Sequence, residues 1–91
     1  MSWGPFLPEL DPAERKARLR SLRALVKVMT GPRGEAAAFA LLRAEIGGGD
    51  ADLLAEALTA FGRLGTIDQR RVLSSFAGLH SPGPKRVASN V

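Results

Sequence analysis

The sequence predicts an all-α fold, a compact bundle of about four short antiparallel helices. Apolar residues recur at three- and four-residue spacing, and residues that start and end helices alternate along the chain. No stretch shows the two-residue alternation of β-branched and aromatic side chains that is typical of a strand. With 91 residues, of which 45% are hydrophobic and 24% charged, the chain has the length and composition of a single globular domain.

Helix one is predicted from Pro12 to Thr30. Asp11 is a favourable N-cap residue, because its carboxylate accepts hydrogen bonds from amides of the first turn. Pro12 suits the first helical position, where no amide hydrogen is needed. The dipeptide Gly31-Pro32 ends the helix. One apolar stripe is expected on this helix, made of Leu19, Leu22, Leu25, Val26 and Met29.

Helix two is predicted to begin at Pro32 or Gly34 and to end at Ile46, before three consecutive glycines. It is apolar on nearly every side, and such a helix is normally buried. We therefore expect helix two at the centre of the bundle or in a subunit interface. One of its faces is made of Ala36, Phe39, Leu42 and Ile46, and much of the remainder is covered by Ala37, Ala40, Leu41 and Ala44.

Helix three is predicted to follow its N-cap residue Asp50 and to end near Leu64. Helix four begins at Thr66, which has the spacing of a capping box with Gln69, and ends at His80. The connections between all four helices are short, which favours antiparallel packing of neighbours. Their crossing angles do not follow from the sequence.

Helices three and four could be taken for a helix-turn-helix that reads DNA. Two features argue against that motif. Phe61 places a bulky side chain near the helix crossing, where the motif expects a small one. The apolar face of helix four is also out of register with the motif's usual packing positions.

The predicted helical domain comprises residues 11–81 and has a segment on each side. Residues 1–10, interrupted by prolines, are expected to be extended and to lie across the bundle, and residues 82–91 are expected to form a flexible basic tail. Trp3 and Phe6 have two interpretations. They either fold back onto the core or anchor a partner protein, because aromatic residues dominate interface hot spots.

Positive charge is concentrated in helix one. The chain has a formal net charge of +4, and residues 11–30 contain six basic residues against two acidic ones. Lys16, Arg20, Arg23 and Lys27 fall within roughly 60° on one helical face. We call these four residues the basic stripe. The stripe is a contact surface for phosphates or for an acidic protein, or else a solvated face that keeps the helix soluble.

The composition argues against an enzyme. The chain has no cysteine, no tyrosine and one histidine, so most acid–base, thiolate and metal chemistry lacks its usual residues. The glycine run 47–49 resembles a phosphate-binding loop only superficially, since Asp50 follows it and no lysine does. Arg33, at a helix start, is a weak second anion candidate. No catalytic residue, metal site, cofactor or small-molecule substrate is predicted.

The sequence therefore predicts a small non-enzymatic binding protein, such as a regulator, adaptor, inhibitor or assembly factor, that acts through helix-mediated contact with a protein partner. Homo-oligomerisation through helix two is one option that stays open. The alternative is a nucleic-acid-associated protein that binds phosphates through the basic stripe, together with Lys85 and Arg86 of the tail. Neither an export signal nor a membrane span is recognised, which favours a cytoplasmic location. The predicted partner-binding residues are Lys16, Arg20, Arg23, Lys27, Trp3 and Phe6.

Overall fold

The computed structural model describes residues 3–80, and in this range it is helical without any strand. Four α-helices follow one another: α1 (Pro12–Thr30), α2 (Glu35–Ile46), α3 (Ala51–Gly62) and α4 (Thr66–His80). Short 3-10 turns form at Gly4–Phe6 and Gly31–Gly34. The all-α prediction is confirmed. The predicted tail, residues 82–91, lies outside the described residues.

Two helix starts follow the predicted capping chemistry. The Asp11 carboxylate accepts from the amides of Ala13 and Glu14 at 3.0 and 3.3 Å. Asp50 accepts from Asp52 and Leu53 at the same two distances. Each cap satisfies amides that the helix itself leaves without a partner, typically stabilising it by about 1 kcal/mol.

The start of α4 differs from the predicted capping box. Thr66 is already helical, and the Gln69 side-chain amide donates backwards to the carbonyls of Gly62 and Leu64 at 3.1 and 2.7 Å. Gln69 therefore closes the C-terminal end of α3. The capping-box spacing predicted that the Gln69 side chain would accept from a free amide at the start of α4. It instead donates to free carbonyls at the end of α3.

The core forms where α1 packs against α2 on one side and α4 on another, while α2 also packs against α3. The predicted stripe of α1 faces inward, with Leu19, Leu22 and Val26 fully buried. Although a short turn joins them, α3 and α4 are not among the closely packed helix pairs of the described residues. The remaining buried hydrophobic residues are Phe6, Ala37, Ala38, Leu41, Ala44, Ala57, Phe61, Leu64, Val72 and Phe76.

The N-terminal segment explains the separation of α3 from α4. The Trp3 ring lies 5.3 Å from the Phe61 ring of α3 and 6.1 Å from the Phe76 ring of α4, between ring centroids. Phe6 lies beside Trp3 at 5.1 Å and is buried. The segment crosses the bundle as expected, but it is not extended throughout, because the Phe6 amide donates to the Trp3 carbonyl and closes a 3-10 turn.

One side of helix two faces the core and the other side is exposed, so the alternative of a subunit interface for that second side stays a prediction. The buried face of α2 consists of the small side chains Ala37, Ala38 and Ala44, together with Leu41 and Glu45. Phe39 and Ile46 are 61% and 74% exposed. Alanines allow α1 and α3 to approach α2 closely on one side, and no other helix of residues 3–80 covers the opposite side.

Candidate protein-docking site

The four residues of the basic stripe occupy different environments. Arg20 Nε donates to Glu45 Oε2 at 3.0 Å, and Arg23 Nη2 donates to Glu45 Oε1 at 3.2 Å. Lys16 and Lys27 are exposed and form no ion pair within the described part of the chain. The stripe is therefore two paired arginines between two lysines that face solvent.

Glu45 determines this division. Its carboxylate is only 7% exposed, and a buried carboxylate is stabilised by charge-assisted hydrogen bonds of this kind. Glu45 lies on α2, 25 positions after Arg20 and 22 after Arg23. Counting charges along helix one could not reveal it. One negative charge thus compensates part of the positive charge that the sequence assigned to the stripe.

An open groove of about 420 Å³ lies beside the paired arginines, between the C-terminal half of α1 and the exposed side of α2. We call it the α1/α2 groove. Phe39, Leu42 and Pro32 supply its apolar surface, while Arg23 and Lys27 lie along α1 and Glu35 lies at the start of α2. The lining residues are Arg23, Lys27, Gly31, Pro32, Glu35, Ala38, Phe39 and Leu42.

Glycines shape the corner at the end of this groove. Gly31 adopts φ +59°, a conformation that side chains rarely adopt, and so turns the chain out of α1. Gly34 is buried, and a Cβ atom there would overlap the Thr30 hydroxyl and lie 2.8 Å from Val26 Cγ1. The Thr30 hydroxyl donates to the Val26 carbonyl at 2.6 Å, which fixes it in place. Only glycine therefore lets α2 start so close to α1.

The connection between α1 and α2 is also tied to α4. Arg33 donates to both carboxylate oxygens of Asp68, at 3.0 and 2.9 Å. This hydrogen bonding holds the pKa of Asp68 below its ordinary value and raises the pKa of Arg33. Arg33 was a weak anion candidate in the sequence. In the fold its planar guanidinium already binds a carboxylate.

Trp3 and Phe6, the other two predicted partner-binding residues, are not beside the groove. Both pack onto aromatic rings inside the fold, as the first of their two interpretations expects. The Arg15 guanidinium fastens their segment by donating to four main-chain carbonyls, those of Pro5, Leu7, Pro8 and Leu10. For them to anchor a partner, this whole segment would have to leave the bundle.

Sequence reasoning did not single out Phe39 and Leu42 as site residues. Both residues were assigned to one apolar face of helix two. Whether that face is buried or exposed depends on how many helices pack around helix two. The available signal was quantitative, since helix two has more apolar surface than two neighbouring helices can cover. That excess is the floor of the α1/α2 groove.

The groove presents both apolar and charged side chains to solvent. Within the described residues, no three side chains of the metal-ligating types cluster together. No helix of residues 3–80 combines the length and apolar character needed to cross a membrane.

Comparisons of the sequence with protein-family models, with curated proteins and with solved structures found no match.

Proposed function

We propose that this chain is a small non-enzymatic binding protein, whose α1/α2 groove docks an amphipathic helix that carries acidic residues beside an apolar stripe. The observation behind this proposal is that an exposed phenylalanine, Phe39, lines the same groove as the basic residues Arg23 and Lys27. The cytoplasmic location expected from the sequence stays a prediction.

The apolar part of the groove favours a helical ligand. Phe39 and Leu42 are spaced three residues apart on α2 and lie beside Pro32 at one end. A groove between two helices accommodates the apolar stripe of a third, which presents side chains at three- and four-residue spacing. Burying an aromatic side chain that is 61% exposed supplies the large contact area on which interface hot spots depend.

The charged edge favours acidic residues on that helix. Lys27 is exposed at the groove, and Arg20, 62% exposed, continues the edge toward Lys16. Glu45 holds the two arginines between the lysines, so their geometry is set before any partner arrives. Complementary charge accelerates association and excludes partners of the wrong sign.

The composition of the groove disfavours the two other occupants. In a symmetric dimer the same patch faces itself, so a second copy would place its basic edge near the first. A nucleic acid has no apolar stripe, so its phosphates would leave Phe39 and Leu42 of the groove uncovered. An acidic partner helix complements both the floor and the edge.

Selection from a displayed library of helical peptides tests the proposal, with the whole chain as the target. We expect enriched peptides to carry acidic residues beside an apolar stripe. Phe39→Ser should weaken their binding at least about tenfold, the loss expected at a hot spot. Ile67→Ser is the matched control, because Ile67 is 68% exposed on α4 and does not line the groove.

Three results would contradict the proposal. Peptides that bind the Phe39→Ser chain as well as the natural chain do not use the groove. Enriched peptides that are basic would refute the charge argument. A dimer in light scattering that Phe39→Ser separates would identify a second copy as the occupant.

A further inference from the structure

A second positively charged surface lies where α4 passes the C-terminal end of α1. Arg70 lies between two open depressions on this surface. One depression is lined by Val28, Met29, Arg70, Arg71, Ser74 and Ser75, and the other by Thr66, Gln69, Arg70, Leu73 and Ser74. None of these residues lines the α1/α2 groove.

The charge of this surface is only partly compensated within residues 3–80, through the Coulomb attraction between Arg71 and Asp68. Arg70 and Arg71 are exposed, and neither forms an ion pair in that part of the chain. Asp68 is the one acidic residue of α4, and Arg33 occupies both of its carboxylate oxygens. This arrangement contrasts with the basic stripe, where Glu45 pairs with two arginines.

The donors form a row rather than a pocket. Thr66, Arg70 and Ser74 recur at four-residue spacing along α4, with Arg71 and Ser75 beside them. We call these five residues the α4 ridge. From residue 66 to residue 74 the helix rises about 12 Å, whereas successive phosphates of one strand in duplex DNA advance about 3.4 Å along the axis. A row of this length spans several phosphates.

We infer that the α4 ridge binds the phosphate backbone of a nucleic acid without reading its sequence. Arginine guanidinium groups and serine or threonine hydroxyls are common donors to phosphate oxygens. Gln69, which could read an adenine, already donates to the carbonyls of Gly62 and Leu64. An extended row of donors fits a polyanion better than a single phosphate, which requires donors that converge.

Fluorescence anisotropy with a labelled DNA duplex of mixed sequence tests this inference across about 50 to 200 mM salt. The natural chain should bind, and its affinity should fall as salt rises. Arg70→Gln combined with Arg71→Gln should reduce the slope of log affinity against log salt by about 1.8, because each lost phosphate contact contributes about 0.9. Lys16→Gln combined with Lys27→Gln is the control with the same charge change.

Several outcomes would overturn the inference. The first is that the natural chain does not bind DNA at low salt. The second is an equal loss of DNA affinity in the lysine control, which would place the contact on the basic stripe. The third is displacement of the DNA by polyglutamate at equal charge concentration, which would show that any polyanion binds as well as a nucleic acid. Circular dichroism checks the folding of each variant. If the double arginine variant fails to fold, Ser74→Asp provides the second test, since it puts a repelling charge on the ridge and should also weaken binding.

Discussion

Two apolar surfaces of this protein have similar ingredients, and residues 3–80 fill one of them and leave the other open. The Trp3 ring packs on Phe61 of α3 and Phe76 of α4, and the Phe6 ring packs on Trp3. Between α1 and α2, the ring of Phe39 borders an open groove. The first surface shows how this fold buries an inserted aromatic segment, and the second offers the same kind of surface without one.

Two arginines of α1, Arg15 and Arg23, contact these two surfaces. Arg15 donates to four main-chain carbonyls of the inserted segment, so these oxygens have hydrogen-bond partners while the aromatic side chains of the segment are packed. Arg23 donates to Glu45 through Nη2, while its buried Nε has no acceptor among the described residues. The filled surface also has such an atom, because the His80 ring lies 4.7 Å from the Phe76 ring and its buried Nε2 has no hydrogen-bond partner among the described residues. The two surfaces therefore differ in their apolar coverage rather than in their polar groups.

The largest effect is expected from Phe6→Ala in the filled surface. Phe6 is 8% exposed, and truncating a buried phenylalanine typically lowers the free energy of unfolding by about 3–5 kcal/mol. Urea denaturation measures this loss. Because a domain of this size has little stability to spare, the variant should be partly unfolded at 37 °C. A loss below about 1 kcal/mol would show that the segment is not part of the core.

Arg15→Gln tests the polar half of the filled surface. Losing the charged donor should destabilise the protein by about 2 kcal/mol, since hydrogen bonds from charged groups typically contribute about 1.5–3 kcal/mol. Protease cleavage within the first ten residues should also become faster. Arg18→Gln is the control, because within residues 3–80 the Arg18 side chain makes one contact of this kind, an i,i+4 ion pair with Glu14 on the same helix. Equal destabilisation by the two variants would remove the special role of Arg15.

A smaller effect is expected at the end of the open groove, from Asp68→Asn. The pKa of Asp68 is lowered in the fold, so the folded state binds its proton less readily than the unfolded state does. The ion pair with Arg33 therefore stabilises the protein above the unfolded carboxyl pKa of about 3.9, and this contribution is lost as pH falls through the lower folded value.

Thermal unfolding at several pH values measures this dependence. The natural chain should have the higher Tm near pH 7, and the difference from Asp68→Asn should disappear in acid. Glu9→Gln is the control, since Glu9 is exposed and forms no ion pair within residues 3–80. A Tm difference that persists unchanged below about pH 3 would contradict the ion-pair explanation.

Local signals predicted the helices of this fold well. Asp11, Asp50 and the glycines that follow α1 and α2 act within one or two helical turns, so the sequence around them is sufficient. The stripe of α1 was also predictable, because one apolar face on a helix implies one buried side.

Pairing between distant residues was not predictable in the same way. Glu45 compensates Arg20 and Arg23 only because α2 packs on α1, and Gln69 turns back to α3 only because the junction places two carbonyls within its reach. The excess charge of helix one was therefore counted correctly from the sequence but could not be located on the surface. Which side of α2 faces the core depended on the same packing.

The smallest effect on stability is expected from Phe39→Ala in the open groove. An exposed side chain that buries little area on folding should change the free energy of unfolding by less than about 0.5 kcal/mol. Phe6→Ala and Phe39→Ala delete the same atoms, so the difference between them reflects mainly burial, with a smaller contribution from the higher helix propensity of alanine at position 39. If Phe39→Ala is as destabilising as Phe6→Ala, the groove is closed in solution and cannot be a docking site. If it leaves stability unchanged and still removes peptide binding, Phe39 serves the partner rather than the fold.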